Sequence, residues 1–144
     1  MSGYVVDATV VMKWFIDEPL SRVALALRSV PLHAPDLLLS DCITILARKS
    51  RQGELTDKQV DEAADLLSRA AIDLHPSRPL FERSLILARD TKCPVRGCLY
   101  LATAWLLELP LVTADAELIE ATRFSSLSST TVPTVTPLAT LAAR

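Results

Sequence analysis

No stretch of the chain approaches the ~20 consecutive apolar residues of a membrane-spanning helix. The first apolar run is broken by Asp7 and stops at Lys13, which is not the pattern of a secretory leader. The expectation is a soluble, cytoplasmic protein with no membrane partner. Cysteine is scarce: Cys42, Cys93 and Cys98 are odd in number and irregular in spacing, so no disulfide framework is expected. Cys93 and Cys98 lack the spacing of a zinc knuckle and have no nearby cysteine or histidine pair, so they read as packing thiols. A net positive charge is missing too. The formal net charge is −2 and the pI about 5.6, so any contact with nucleic acid must come from a local basic patch or from metal ions. Internal repeats and linkers are absent. Aromatics are few, yet half of the residues are hydrophobic, which is the composition of a folding chain. A length of 144 residues favours one domain, 1–144, around one core.

What is present is an alternation of short apolar runs and helical patterns. "YVVD" at 4–7 reads as a buried strand, and 8–15 as a short helix broken by "DEPL". A helix is expected over about 20–29. "LHAP" at 32–35 carries turn chemistry after a strand of two or three residues, and a long helix runs over about 36–52 until Gly53. An amphipathic helix over 56–70 has Thr56 as its N-cap. A strand at 71–76 and a helix over about 79–91 follow. Residues 94–109 are apolar nearly all round, the mark of a helix buried on most sides. "PLVTAD" at 110–115 is a strand ending in a carboxylate, followed by a helix from "AELIEATRF". Residues 125–131 read as a loop, and 132–138 as a last strand whose prolines suit a sheet edge. This alternation implies an α/β fold, a short central parallel sheet flanked by helices.

Three carboxylates have apolar neighbours. Asp7 and Asp115 end predicted strands, and parallel sheets bind ligands beyond their strands' carboxyl ends. Asp41 falls in the stripe of Leu37, Leu38 and Ile45 on the 36–52 helix. Each has a purely structural explanation: Asp7 and Asp115 can cap the helices that follow them, and Asp41 can pair with an arginine. Together they point to a shared acidic pocket, where like charges need a cation or raised pKa values. Mg²⁺ takes one or two carboxylates and keeps several waters. Glu54, Asp57, Asp61, Glu62 and Asp65 read as solvated charges of a surface helix.

"VVDATVVMKWF", "EPLS", "LHAPDLLLSD", "DLHPSRPL", "CPVRGCLYLATA" and "PLVTAD", in that order from residue 4 to about 122, resemble a PIN domain, most nearly the VapC-type toxins of toxin–antitoxin pairs. The resemblance implies a Mg²⁺- or Mn²⁺-dependent ribonuclease site of about four acids, an RNA substrate, an antitoxin partner and a homodimer. By position, Asp7 matches the first aspartate of the family, with Thr9 beside it. Asp41 matches a position that is usually glutamate, and Asp115 the aspartate of the "TAD" segment, with Thr113 nearby. These three are the candidate catalytic residues and metal ligands.

The fourth acid is missing. Where the family pattern reads "PVYDCLYLA", this chain reads "PVRGCLYLA", with Arg96 and Gly97 in place of an aromatic residue and an aspartate. Gly97 has no side chain to ligate a metal, and Asp41 reaches one methylene less far than glutamate. Two readings stand: a weakened single-metal nuclease, or an inactive domain that binds an antitoxin or RNA. In the second, Arg96 reaches Asp7 or Asp115 and replaces the missing cation; the plain alternative is that Arg96 points to solvent. A third class, an interaction protein unrelated to nuclease chemistry, also remains.

Other residues carry structural expectations. Arg48, Lys49 and Arg51 answer a helix C-terminal dipole. Lys13 is a solvated lysine, and Trp14 and Trp105 pack. His33 and His75 have no catalytic role. Leu20, Val23, Leu27 and the apolar face of 56–70 are either core or an interface.

Overall fold

The structure is a computed structural model and describes residues 2–123 and 134–142. Strand β1, Tyr4–Val6, opens the chain. Gly3 leads into it at φ +104°, with the Pro31 carbonyl oxygen only 1.9 Å from where a Cβ would stand, so no other residue fits without displacement. Helix α1, Ala8–Val11, follows at once and runs into a 3-10 turn at Met12–Trp14. Helix α2 spans Ser21–Ala26 and tightens into a 3-10 turn at Leu27–Ser29.

"LHAP" is itself a strand, β2 (Leu32–Pro35), not a turn following one. Pro35 occupies its last position, and the ladder continues past it through the Asp36 N–H donated to the His75 carbonyl at 2.8 Å. Helix α3, Leu37–Arg51, buries Leu38, Asp41, Cys42 and Leu46. Helix α4, Asp57–Ser68, begins with a full capping box: the Thr56 hydroxyl accepts from the Gln59 N–H, and the Gln59 side chain accepts from the Thr56 N–H. Strand β3 is Ile72–His75, and helix α5, Phe81–Asp90, grows from a 3-10 turn at Arg78–Leu80.

Helix α6, Val95–Leu107, packs on β1 and β2 with α5 against it, and buries Cys98, Tyr100 and Leu101 to Ala104. Strand β4 is Leu111–Thr113, helix α7 Ala116–Arg123, strand β5 Val135–Pro137 and helix α8 Leu138–Leu141. Helix α8 was not signalled by any sequence pattern. The loop expected at 125–131 lies outside the described residues.

All pairings are parallel, in the order β3-β2-β1-β4-β5. The fold is a single α/β domain with a five-stranded parallel sheet flanked by helices, and β5 takes the edge its prolines suit. Val5, Val6, Leu111 and Val112 are fully buried. A central parallel strand covered on both faces needs such continuous apolar sequence rather than alternation. Leaving β1, the chain builds outward through β2 to β3 and then returns to the other side of β1 with β4. The carboxyl ends of β1 and β4 therefore meet at the topological switch point, where open α/β sheets place their ligands.

Among the described residues, no helix is long and apolar enough to cross a membrane. Cys42, Cys93 and Cys98 are free and buried. The acids of α4 are exposed, as their pattern requires. Leu27 is buried, and Leu20 and Val23 pack against the core, so these three belong to the core rather than to an interface.

Thr56→Ala should lower stability by about 1 kcal/mol, the usual worth of an N-cap, without changing the fold. Urea unfolding followed by circular dichroism measures this, and an unchanged midpoint would show that the capping box is not formed.

Candidate functional site

Asp7 leaves β1 in an extended conformation and caps α1. Its Oδ1 accepts from the Thr9 N–H at 3.1 Å, the Val10 N–H at 3.4 Å and the Thr9 hydroxyl at 2.5 Å. Its Oδ2 accepts from the Thr113 hydroxyl at the end of β4. Thr9 Oγ1 accepts in turn from the Ala114 N–H at 2.9 Å, and Thr113 Oγ1 from the Asp115 N–H at 3.0 Å. Two threonines thus lace the two strand ends together around one carboxylate.

All of these donors are neutral. Among the described residues, no lysine, arginine or histidine forms an ion pair with Asp7. Burial pushes its pKa from 3.8 up to about 6; the hydrogen bonds from Thr113, Thr9 and Val10 pull the other way, and the Asp115 charge raises it further.

Asp115 is half-buried and caps α7, its Oδ1 accepting from the Glu117 N–H at 3.0 Å and the Leu118 N–H at 3.3 Å. The capping expected of Asp7 and Asp115 is therefore real, and it coexists with convergence. Asp7, Asp41 and Asp115 all line one cavity of about 260 Å³, together with Thr9, Arg96, Gly97, Tyr100 and Leu118.

Asp41 is differently placed. It is buried on α3, where Arg96 donates to its Oδ1 from Nε at 2.9 Å and from Nη2 at 2.6 Å. The Tyr100 hydroxyl donates to its Oδ2 at 2.7 Å. Arg96 and Tyr100 are four residues apart on α6, so one helical face clamps the carboxylate. Burial, and then Asp41 itself, push the Tyr100 phenol up, which keeps it a neutral donor. Arg96 therefore reaches neither Asp7 nor Asp115, as the charge argument had suggested, and it does not simply point to solvent. Its partner is Asp41, because the two lie on facing elements. Tyr100 carried no signal of its own beyond its spacing from Arg96.

At Gly97 a Cβ would stand 2.9 Å from Leu118 Cδ1. The buried Leu118 side chain fills the space that a side chain at position 97 would take.

Residues 4–124 match the PIN domain family. The chain belongs to that family. PAE2754 from Pyrobaculum aerophilum is similar in structure, with a TM-score of 0.62 at 18% identity, covering 99% of this chain and 98% of that one. A toxin–antitoxin complex from Klebsiella pneumoniae contains a chain similar at a TM-score of 0.60 and 18% identity, covering 84% of this chain and 93% of that one. A search of curated proteins found no match.

The three aspartates of this PIN domain differ in what they can still bind. The Asp41 charge is paired with Arg96, and its second oxygen accepts from Tyr100. Asp7 holds an uncompensated charge in a dry wall, and Asp115 gives only Oδ1 to its cap. Among the described residues, the three do not form a group with ligand atoms all within 4.8 Å of one another. Among the described residues, Asp7 and Asp115 are the pocket aspartates with no cationic side-chain partner, and oxygen donors of that kind suit a hard divalent ion.

One residue outside the pocket departs from expectation. Lys13 is not a solvated lysine: its side chain is 11% exposed and pairs with Glu18 at 3.1 Å. Arg48, Lys49 and Arg51 lie in the last turn of α3 as the dipole argument expects, and Lys49 also pairs with Glu54 at 3.1 Å. The tryptophans pack as expected, Trp14 donating to the Ala24 carbonyl at 2.8 Å and Trp105 lying under Arg83.

The Asp7 pKa has a consequence for stability. Between pH 3.8 and about 6 the native state keeps a proton that the unfolded chain has released. The stability this confers is complete below pH 3.8 and is lost as pH rises through about 6. That gap corresponds to about 3 kcal/mol. In the presence of EDTA, thermal stability should fall across this window, and Asp7→Asn should flatten the fall. Thermal melts at a series of pH values test it; a wild type and a variant with parallel profiles would refute it.

Arg96→Ala leaves Asp41 buried with only Tyr100. Because the Arg96 side chain is 63% exposed, the cost should be modest, about 1–2 kcal/mol rather than that of a fully buried pair. Urea unfolding at pH 7 measures it, and a variant as stable as wild type would refute the clamp.

Proposed function

We propose that this PIN domain is a VapC-like toxin-family protein, a divalent-metal-dependent ribonuclease by descent, whose catalysis is weakened by loss of part of its acidic site. The observation that carries this reading is the Asp41–Arg96 ion pair beside Gly97. Of the four acids expected of the family, one is absent and a second is neutralised. Asp7 and Asp115 remain, in a cavity of about 260 Å³ beyond the strand ends.

In this reading Asp7 and Asp115 are the residues that hold Mg²⁺ or Mn²⁺. When bound, such an ion stabilises charge on a phosphodiester and lowers the pKa of a coordinated water. Thr9 and Thr113 fix the Asp7 carboxylate without neutralising it, which keeps its charge available. Burial keeps water out around it, so that charge acts at low dielectric. Asp41 acts through Arg96, holding the guanidinium at the mouth of the cavity, where it meets an incoming phosphate group.

Partners follow the same line. The likeness to a chain of a toxin–antitoxin complex supports an antitoxin partner. So does an apolar groove of about 430 Å³ between α3, α4 and β3, lined by Leu39, Ile43 and Leu67. Residue Ile43 is exposed there. A homodimer and a cytoplasmic location belong to the same proposal. The second reading, an inactive module that binds antitoxin or RNA, is favoured by the same ion pair if the loss of Asp41 is complete.

RNA cleavage in Mn²⁺ by wild type, Asp7→Asn and Gly97→Asp separates the two. The expected result is weak cleavage by wild type, none by Asp7→Asn, and at least a tenfold gain in Gly97→Asp. The last variant needs the Leu118 methyl to swing aside, a small adjustment at the flexible end of a side chain. Silence of wild type with cleavage by Gly97→Asp would mark a toxin disarmed at one position. Silence of both would establish the binding-module reading, and equal rates would refute the weakening.

A further inference from the structure

Strands β2 and β3 carry three metal-ligating side chains to one face of the sheet, away from the acidic pocket. The register pairs His33 with Asp73, and His75 stands two residues beyond Asp73. Side chains alternate along a strand, so all three project to the side opposite Ile72 and Leu74, which line the groove against α3 and α4. His33 Nδ1 lies 3.2 Å from His75 Nε2 and 3.7 Å from Asp73 Oδ2, and Asp73 Oδ2 lies 4.0 Å from His75 Nε2. Donors bound to a common zinc ion at about 2.0–2.1 Å in a tetrahedron stand a little over 3 Å apart. The triangle is already close to that size.

The surroundings sharpen the case. His33 is buried, and its Nε2 has no hydrogen-bond partner. The ring's polar contacts are therefore all made through Nδ1, which faces the other two ligands. His33 Nδ1 and His75 Nε2 share one hydrogen bond, and Asp73 Oδ2 stands within ion-pair reach of both rings. Among the described residues, no lysine or arginine pairs with Asp73. A divalent cation at the centre would draw on His33 Nδ1, His75 Nε2 and Asp73 Oδ2 together, with Nε2 as the outer N–H of the His33 ring.

We propose that His33, Asp73 and His75 form a binding site for a divalent transition ion, zinc foremost. Two imidazole nitrogens and one carboxylate suit zinc and its neighbours far better than Mg²⁺, which prefers all-oxygen sites. The Asp73 side chain is 70% exposed, so the fourth position faces water. None of the three residues lines the acidic cavity, so the site is separate from the proposed nuclease centre. Its effect is to clip edge strand β3 to β2 and so to protect the open side of the sheet.

The test is a titration of the full chain, stripped with chelator, using Zn²⁺ in competition with a chromophoric chelator and Co²⁺ as an optical probe. With Mg²⁺ in excess to hold the acidic pocket, one Zn²⁺ per chain is expected, with a raised thermal midpoint in Zn²⁺. His75→Ala and Asp73→Asn should each lower Zn²⁺ affinity at least tenfold. The double variant Asp7→Asn/Asp115→Asn should bind Zn²⁺ as wild type does. Asp73 is exposed and its substitution leaves the core intact, so a folded variant is assured even where a histidine change unsettles the sheet. Absence of Zn²⁺ binding by wild type overturns the proposal. Binding that is undiminished in either single variant, or lost in a double variant that circular dichroism shows to be folded, also overturns it.

Discussion

The arrangement of this protein's pocket depends on one buried carboxylate that is solvated by neutral groups alone. Asp7 sits where the central strand ends, and its charge is met by two threonine hydroxyls and two backbone N–H groups. Such donors lower the cost of burying a carboxylate without cancelling its charge. The same hydroxyls reach on to Ala114 and Asp115, so the contacts that stabilise Asp7 also fix the start of α7. Binding capacity and local structure are therefore not separable here. A change at Thr9 or Thr113 would disturb the carboxylate and the strand-end geometry together.

A second carboxylate shows the opposite solution. Asp41 is as buried as Asp7, but it faces a helix that offers a guanidinium and a phenol. Its charge is paired where that of Asp7 is not. The pocket thus divides into an acidic half, Asp7 and Asp115, and a neutralised half, Asp41 with Arg96 and Tyr100. Only the first leaves its negative charge without a cationic partner among the described residues. Beside it, Arg96 provides for the Asp41 charge, and Leu118 fills the space next to Gly97 with apolar volume.

Much of this was legible in the sequence because it rests on local chemistry. The continuous apolar runs of β1 and β4, the Thr56 cap and the all-round apolar helix α6 each follow from residue type and spacing. So does the meeting of Asp7 with Asp115, since adjacent parallel strands bring their ends together. What was not legible depends on register and on facing helices. Nothing along the chain says that Arg96 meets Asp41 rather than Asp7, because the outcome depends on how α6 is rotated against α3. "LHAP" reads as a turn by composition, yet neighbours on both sides make it a strand. His33 and His75 are separated by 41 intervening residues and meet only through the β2–β3 register.

In the proposed reading, Arg96 and Gly97 are better understood together. With an aspartate at 97, an arginine at 96 would have a second carboxylate within reach, and the charge on Asp41 would have to be shared with a metal ion. With glycine at 97, the same arginine has a single buried carboxylate to satisfy, and Tyr100 one turn further on completes the arrangement. Removing Arg96 strands the buried Asp41 charge, whereas removing Asp41 leaves a guanidinium that is already largely in water. Once Arg96 and Asp41 are joined, restoring the acid alone adds a negative group next to an already committed cation. Full recovery of an acidic metal pocket therefore requires Arg96 to be released as well as Gly97 replaced, and the cost of stranding Asp41 then falls on the metal to offset.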